Sequence, residues 1–179
     1  VQTRAFLILI VLVVILAAGW SCVRISANHV PQTTPTEELD FNVVDQSDDE
    51  WRDKLTAEQF FVLREKGTEP SFKNAYWDEH RSGVYHCAGC DLPLYSSDTK
   101  YESGTGWPSF YQPIDQDNVA EEVDYKLFLP RTEVLCRRCG GHLGHVFTDG
   151  PEPTGLRYCM NSAALHFHPS DSADDDESQ

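Results

Sequence analysis

Two identically spaced cysteine pairs, Cys87 and Cys90 in "CAGC" and Cys136 and Cys139 in "CRRCGG", constrain this chain more than any other feature. Brought together across a sheet, two CxxC turns present four thiolates in a tetrahedral array, which zinc accepts with bonds of about 2.3 Å. Four sulfurs leave no position for water, so the pattern predicts one structural zinc and argues against a zinc hydrolase. Gly140 and Gly141 complete a tight turn after the second pair. Two other readings are a disulfide or redox dithiol in each pair, and a ligand role for His142 or His145. With four cysteines at hand, the histidines are better used elsewhere.

Around these turns the chain divides by composition. Residues 1–24 contain "AFLILIVLVVILAAGW", with no charge between Arg4 and Arg24. As a helix this interval reaches about 28 Å, close to a bilayer's hydrocarbon core, so a signal peptide or membrane anchor is expected, and with it export or membrane attachment. Residues 25–50 mix proline, threonine and acid and read as a flexible acidic linker, while 170–179 end in the solvated run "DSADDDESQ". Residues 51–169 are left as the folded domain, taken as a monomer. A net charge of -15 repels phosphate backbones and excludes nucleic acid as a partner.

Within the domain, "LTAEQFFVLREKG" predicts one helix. Thr56 caps it with Gln59 reaching back, Leu55 and Phe60 form a hydrophobic staple, and Arg64 and Lys66 suit its negative end. Gly67 is expected to stop it in the left-handed conformation. Beyond it, short β-prone segments such as "GVYH", "YKLFL", "EVLC", "HVFTD", "LRYCMN" and "ALHFH" alternate with Gly, Pro and Asp turns. The fold class is therefore mainly β, antiparallel, with one N-terminal helix and a structural metal.

Cys159, in "LRYCMN", stands alone. Strand alternation puts Tyr158 and Met160 toward the core and Arg157, Cys159 and Asn161 on the other side. A guanidinium beside a thiol favours the thiolate and lowers its pKa from about 8.5 toward neutrality, which makes Cys159 a candidate nucleophile rather than a small buried filler. His142 and His145 in "GGHLGHVFTDG", with Asp149 following, are candidates for a proton donor and its orienting carboxylate. "SGTGWPSF" supplies Trp107 and Phe110 as walls for a small apolar group, the other reading, stronger for Phe110, being buried aromatic packing.

Taken together, "SGTGWPSF", "CRRCGGHLGHVF", "DGP" and "RYCMNSAAL" resemble the B-type methionine sulfoxide reductases, in order and over nearly all of 51–169. The resemblance implies a fold of two antiparallel sheets (a β-tent) and reduction of the R epimer of methionine sulfoxide in proteins. It also implies roles: Cys159 attacks the sulfoxide sulfur and becomes a sulfenic acid, and His145 delivers the proton. His142, Asp149, Arg157 and Asn161 hold the polar side, and Trp107, with Phe110 nearby, meets the substrate methyl. In many members of that family a resolving cysteine lies between the two glycines of the "SGxGWPSF" motif. Here Thr105 occupies that place and Cys22 is the only spare thiol. The resemblance then implies regeneration by an external, thioredoxin-like donor. The competing reading is a zinc-ribbon interaction module with an inert Cys159.

Overall fold

The computed structural model describes residues 42–125 and 130–170. The apolar segment 1–24, the linker up to residue 41, the tail from 171 and most of "YKLFL" lie outside the described residues. Among the described residues no helix is long and apolar enough to cross a membrane.

Among the described residues two short helices precede the sheets, where the domain was expected to have one. The last residues assigned to the acidic linker form the first turn of α1 (Asp48–Lys54). Their acidity has a local reason: Ser47 and Glu50 make a reciprocal capping box, and Asp48, Asp49 and Glu50 face the positive end of the helix dipole. Trp51 is buried and anchors this helix. In α2 (Ala57–Leu63), the Thr56–Gln59 capping box forms as the sequence predicts. The stop differs: Lys66 takes the left-handed conformation at φ +57°, and Gly67 follows it, donating its N–H to the Phe61 carbonyl at 2.9 Å. Gly67 lets the exposed Phe61 ring fold over it, since a Cβ there would lie 2.2 Å from that ring and push it aside.

The remainder is antiparallel β-structure. The strands are β1 (Gly83–Cys87), β2 (Pro93–Ser96), β3 (Lys100–Tyr101), β4 (Ser109–Phe110), β5 (Val119–Asp124), β6 (Arg131–Cys136), β7 (His142–Phe147), β8 (Arg157–Met160) and β9 (Leu165–Pro169). One sheet has the order β2-β1-β9 and the other β3-β4-β8-β7-β6-β5. Aromatic rings join the two: Phe110 of β4 stacks on Tyr95 of β2 with centroids 4.5 Å apart and meets Tyr85 of β1 edge-on at 5.1 Å. Leu94, Leu143, Tyr158 and Met160 fill the same core. Phe110 is fully buried there, so its expected place in a substrate pocket is corrected. A ring of that size gains more from stacking between two sheets than from facing a cleft.

The four cysteines sit where the sheets must be tied. The first pair follows β1 of the smaller sheet, and the second joins β6 to β7 of the larger. In each turn the residue after the second cysteine is left-handed and donates to the first cysteine's carbonyl, Asp91 to Cys87 at 2.9 Å and Gly140 to Cys136 at 2.8 Å. The amide of that first cysteine is also satisfied, by Leu92 and by Gly141. The two turns are thus copies of one device. Helix α2 covers the second, with Leu63 close over Gly141 and Arg64 donating to the Cys139 carbonyl at 3.0 Å.

Candidate active site

Cys159 lies in β8 between two neighbours in register, Ser109 of β4 on one side and His145 of β7 on the other. Side chains directly opposite in an antiparallel ladder share a face, so a thiol, a hydroxyl and an imidazole project together. Tyr158 and Met160 are buried on the core side as alternation requires, and Cys159 is half-buried. The approach of β7 to β8 is close enough to demand Gly144, where a Cβ would fall 2.1 Å from the Cys159 carbonyl oxygen.

In front of the sulfur opens a small cleft of about 120 Å³. Its lining includes Trp107, His145, Phe147, Cys159, Met160 and Asn161, together with Thr68, Arg131 and Gly144. Trp107 is oriented by its indole N–H, which donates to the Glu69 carbonyl at 3.2 Å. The apolar wall is therefore Trp107 with Phe147; sequence reasoning found the first and missed the second.

The histidines are held by carboxylates other than the one expected. His145 Nε2 lies 3.0 Å from Asp124 Oδ2, and the same oxygen takes an Arg131 guanidinium N–H at 2.7 Å. His142 Nδ1 lies 2.7 Å from Glu133 Oε1, and Lys66 Nζ reaches the other Glu133 oxygen at 2.8 Å. Three residues apart on a regular strand, His142 and His145 would face opposite ways. An extra residue in β7, Leu143, bulges opposite Val134 and Leu135 of β6 and resets the register, and the two rings meet edge-on at 5.3 Å. His142 is buried behind His145 and does not line the cleft, which corrects its assignment to substrate binding. Burial holds both imidazoles below the ordinary value, with Glu133 and Asp124 opposing it. Each is set to be neutral at pH 7.

Asp149 serves Arg157 instead of a histidine. It accepts from Nε and from a terminal nitrogen, both at 2.9 Å, because the β7–β8 turn returns Arg157 alongside it. Asn161 lines the cleft from just beyond the strand. Strand β8 ends at Met160, and the Asn161 side chain is committed to backbone, donating to the Leu143 carbonyl at 3.1 Å and accepting from Glu69 N–H at 3.2 Å. These bonds fix the amide where it lines the cleft.

The expected thiolate needs a correction as well. Burial pushes the Cys159 thiol above its ordinary value; Arg157 and the Thr105 and Ser109 hydroxyls pull it down without winning. Thr105 Oγ1 lies 4.0 Å from the sulfur and belongs to a chain of hydroxyls, Ser103 Oγ being 2.8 Å from Thr105 Oγ1 and 2.7 Å from Ser109 Oγ. The resting group is a thiol, flanked by a neutral imidazole and one fixed cation. Asp124, Glu133, Ser103 and Ser109 escaped sequence reasoning. An acid inside the apolar run "TEVLC" was a usable signal for Glu133, and nothing local marked Asp124.

The four cysteine sulfurs come within 4.8 Å of one another. The separations Cys87–Cys139 and Cys90–Cys136, 3.7 and 3.5 Å, are close to the edge of about 3.8 Å of a tetrahedron with 2.3 Å zinc–sulfur bonds. The arrangement therefore fits a metal ion bound by four thiolates, with neither histidine among them.

Sequence comparison agrees with this geometry. A model described as the SelR domain matches residues 55–169. The chain is 56% identical over 125 residues to a "Peptide methionine sulfoxide reductase MsrB" of Thiobacillus denitrificans, covering 70% of this chain and 95% of that protein. A protein of the same name from Leptospira interrogans is 56% identical over 124 residues, 69% of this chain and 95% of its own length. The rice "Peptide methionine sulfoxide reductase B1, chloroplastic" is 58% identical over 120 residues, 66% of this chain and 56% of that protein. Four paired cysteines, a half-buried thiol across from an imidazole and a tryptophan-walled cleft lie inside the matched segment, and the chain belongs to the SelR domain family.

Proposed function

We propose that this chain is a peptide-methionine (R)-S-oxide reductase that repairs oxidised methionine in proteins, with Cys159 as its nucleophile. The observation that carries this reading is the placing of Cys159 between His145 and an apolar wall at the mouth of an open cleft. A methionine sulfoxide presents an oxygen acceptor on one side of its sulfur and a methyl group on the other. Trp107 and Phe147 receive the methyl, and the His145 side receives the oxygen, so one handedness is favoured. A zinc-ribbon module with an inert cysteine leaves this cleft without a purpose.

Cys159 starts as a thiol, and its proton must leave as the sulfur attacks. Neutral His145, polarised by Asp124, moves that proton toward the sulfoxide oxygen while Arg157 stabilises charge on the sulfur. The substrate sulfur gains two electrons and departs as methionine; Cys159 loses two and keeps the oxygen as a sulfenic acid. A thiol of an external donor then attacks the sulfenic sulfur and water leaves. A second thiol of the donor breaks the mixed disulfide, restoring Cys159 and carrying away the oxidation as a donor disulfide. Thr105 cannot form that disulfide, which is why the donor is external and thioredoxin-like.

Cys87, Cys90, Cys136 and Cys139 would hold a structural zinc, whose chemistry is to bind the two sheets together without joining the reaction. The apolar run in residues 1–24 is read as delivering the domain of residues 51–169 to or across a membrane. An epimer-resolved assay on an oxidised methionyl peptide, with thioredoxin and then a small dithiol, tests the activity. Turnover of the R epimer alone is expected; consumption of the S epimer alone, or of neither, rejects it.

A further inference from the structure

On the smaller sheet, β1 and β9 pair so that Val84 faces His168 and His86 faces His166. These residues share one face by strand alternation, while Tyr85 and Phe167 turn into the core. The outer face thus carries three imidazoles, with centroids 4.1 Å apart for His86 and His168 and 4.6 Å for His166 and His168. None of them lines the Cys159 cleft.

A carboxylate is aimed at this group. Asp91 is the left-handed residue that closes the first cysteine turn, so its backbone is fixed by the bond to the Cys87 carbonyl. From there Asp91 Oδ1 reaches within 3.3 Å of His86 Nδ1 and 3.2 Å of His168 Nε2. Without a metal, His86 Nδ1 donates its proton to the Asp91 carbonyl oxygen at 3.0 Å, a bond the ring gives up when Nδ1 becomes a ligand. The ligand atoms of the three residues all fall within 4.8 Å of one another.

We infer that His86, Asp91 and His168 form a second metal site, taking a borderline divalent cation such as Zn²⁺ through two imidazole nitrogens and one carboxylate oxygen. The two separations from Asp91 match the edge of about 3.3 Å of a tetrahedron with bonds of 2.0–2.1 Å. They are longer than the roughly 2.8 Å of a well-made charge-assisted hydrogen bond. Two imidazoles select zinc, nickel or copper over magnesium and calcium. Three protein ligands leave the fourth position to water or an incoming donor, whereas the four-cysteine centre is closed. The two centres share one turn: Cys87 and Cys90 face inward from it, and Asp91 faces out.

The test uses the full chain already carrying one zinc, confirmed by elemental analysis, titrated with Zn²⁺ in a calorimeter. One further equivalent is expected to bind. His168→Asn and Asp91→Asn should each weaken that equivalent by about tenfold or more and leave the first in place. Asparagine tolerates the left-handed backbone, so Asp91→Asn keeps the turn. Should Asp91→Asn disturb the first equivalent, His168→Asn, whose backbone pairs with Val84 outside the turn, decides alone. Absence of a second equivalent overturns the inference, as does a second equivalent that survives His168→Asn and disappears with the tail 171–179.

Discussion

Asp149 clasps Arg157 through both carboxylate oxygens at 2.9 Å, and the clasped guanidinium lies 4.4 Å above the Phe147 ring. A bidentate pair stacked on an aromatic face holds the cation in one place, next to a sulfur whose ionisation burial resists. The arrangement makes the proximity of Arg157 to Cys159 a designed feature of the β7–β8 turn.

Replacing Arg157 by Gln should therefore raise the Cys159 pKa further and slow its alkylation at pH 7, by about tenfold if the charge contributes one pKa unit. Asp149→Asn should act in the same direction more weakly, through loss of the clasp. The pH dependence of iodoacetamide labelling reads both; unchanged profiles would remove Arg157 from the account of reactivity.

His142 and His145 are both held below the ordinary 6.5 by burial. Such a group binds its proton more readily in the unfolded chain, so its contribution to stability is complete above that value and is lost as pH falls toward the folded pKa. Thermal midpoints should fall between pH 7 and pH 5. His142→Gln should fall less steeply over this window, whatever its absolute midpoint. For Glu133 burial alone would raise the pKa, but Lys66 and His142 more than offset it, so its loss belongs below pH 4.5. A variant slope equal to that of the unaltered chain would contradict the assignment.

Removing the metal should unfold the domain. The four cysteines tie the ends of β1 and β6, and structural zinc of this kind contributes an apparent binding free energy on the order of 10 kcal/mol. Chelation, or Cys139→Ser, should lower the circular-dichroism melting midpoint and abolish activity together, and zinc should restore both after chelation. A melting curve indifferent to chelator would show that the sheets hold without it.

Thr105 Oγ1 lies 4.0 Å from Cys159 Sγ, which makes the position a ready place for a second thiol. Thr105→Cys should lose two free thiols in a single turnover without reductant, by forming a disulfide with Cys159, where the unaltered chain loses one. Equal losses in the two proteins would mean that the loop cannot close on the sulfur.

Much of this arrangement was legible beforehand. The paired cysteines, the Thr56–Gln59 cap and the alternation that sends Tyr158 and Met160 inward depend on short-range rules, and all three hold. What escaped depends on register between strands. The bulge opposite Val134 and Leu135 brings His142 and His145 onto one side, and no local pattern announces it. Asp124 reaches His145 across β6, 21 residues away, so the nearer Asp149 was the natural but mistaken choice. Burial of Cys159 is likewise a product of the assembled sheets, and it reverses the direction that Arg157 alone implies. The Ser47–Glu50 cap was readable and was obscured by the acidity of the segment around it.

Single turnover with one equivalent of an R-sulfoxide peptide and no reductant, followed by peptide mass analysis, addresses the proposed chemistry most directly. One methionine formed per chain, with one oxygen atom gained on the Cys159 peptide, and no turnover at all in Cys159→Ser, is the expected result. Methionine formed while Cys159 remains an unmodified thiol, or undiminished turnover by Cys159→Ser, would contradict it.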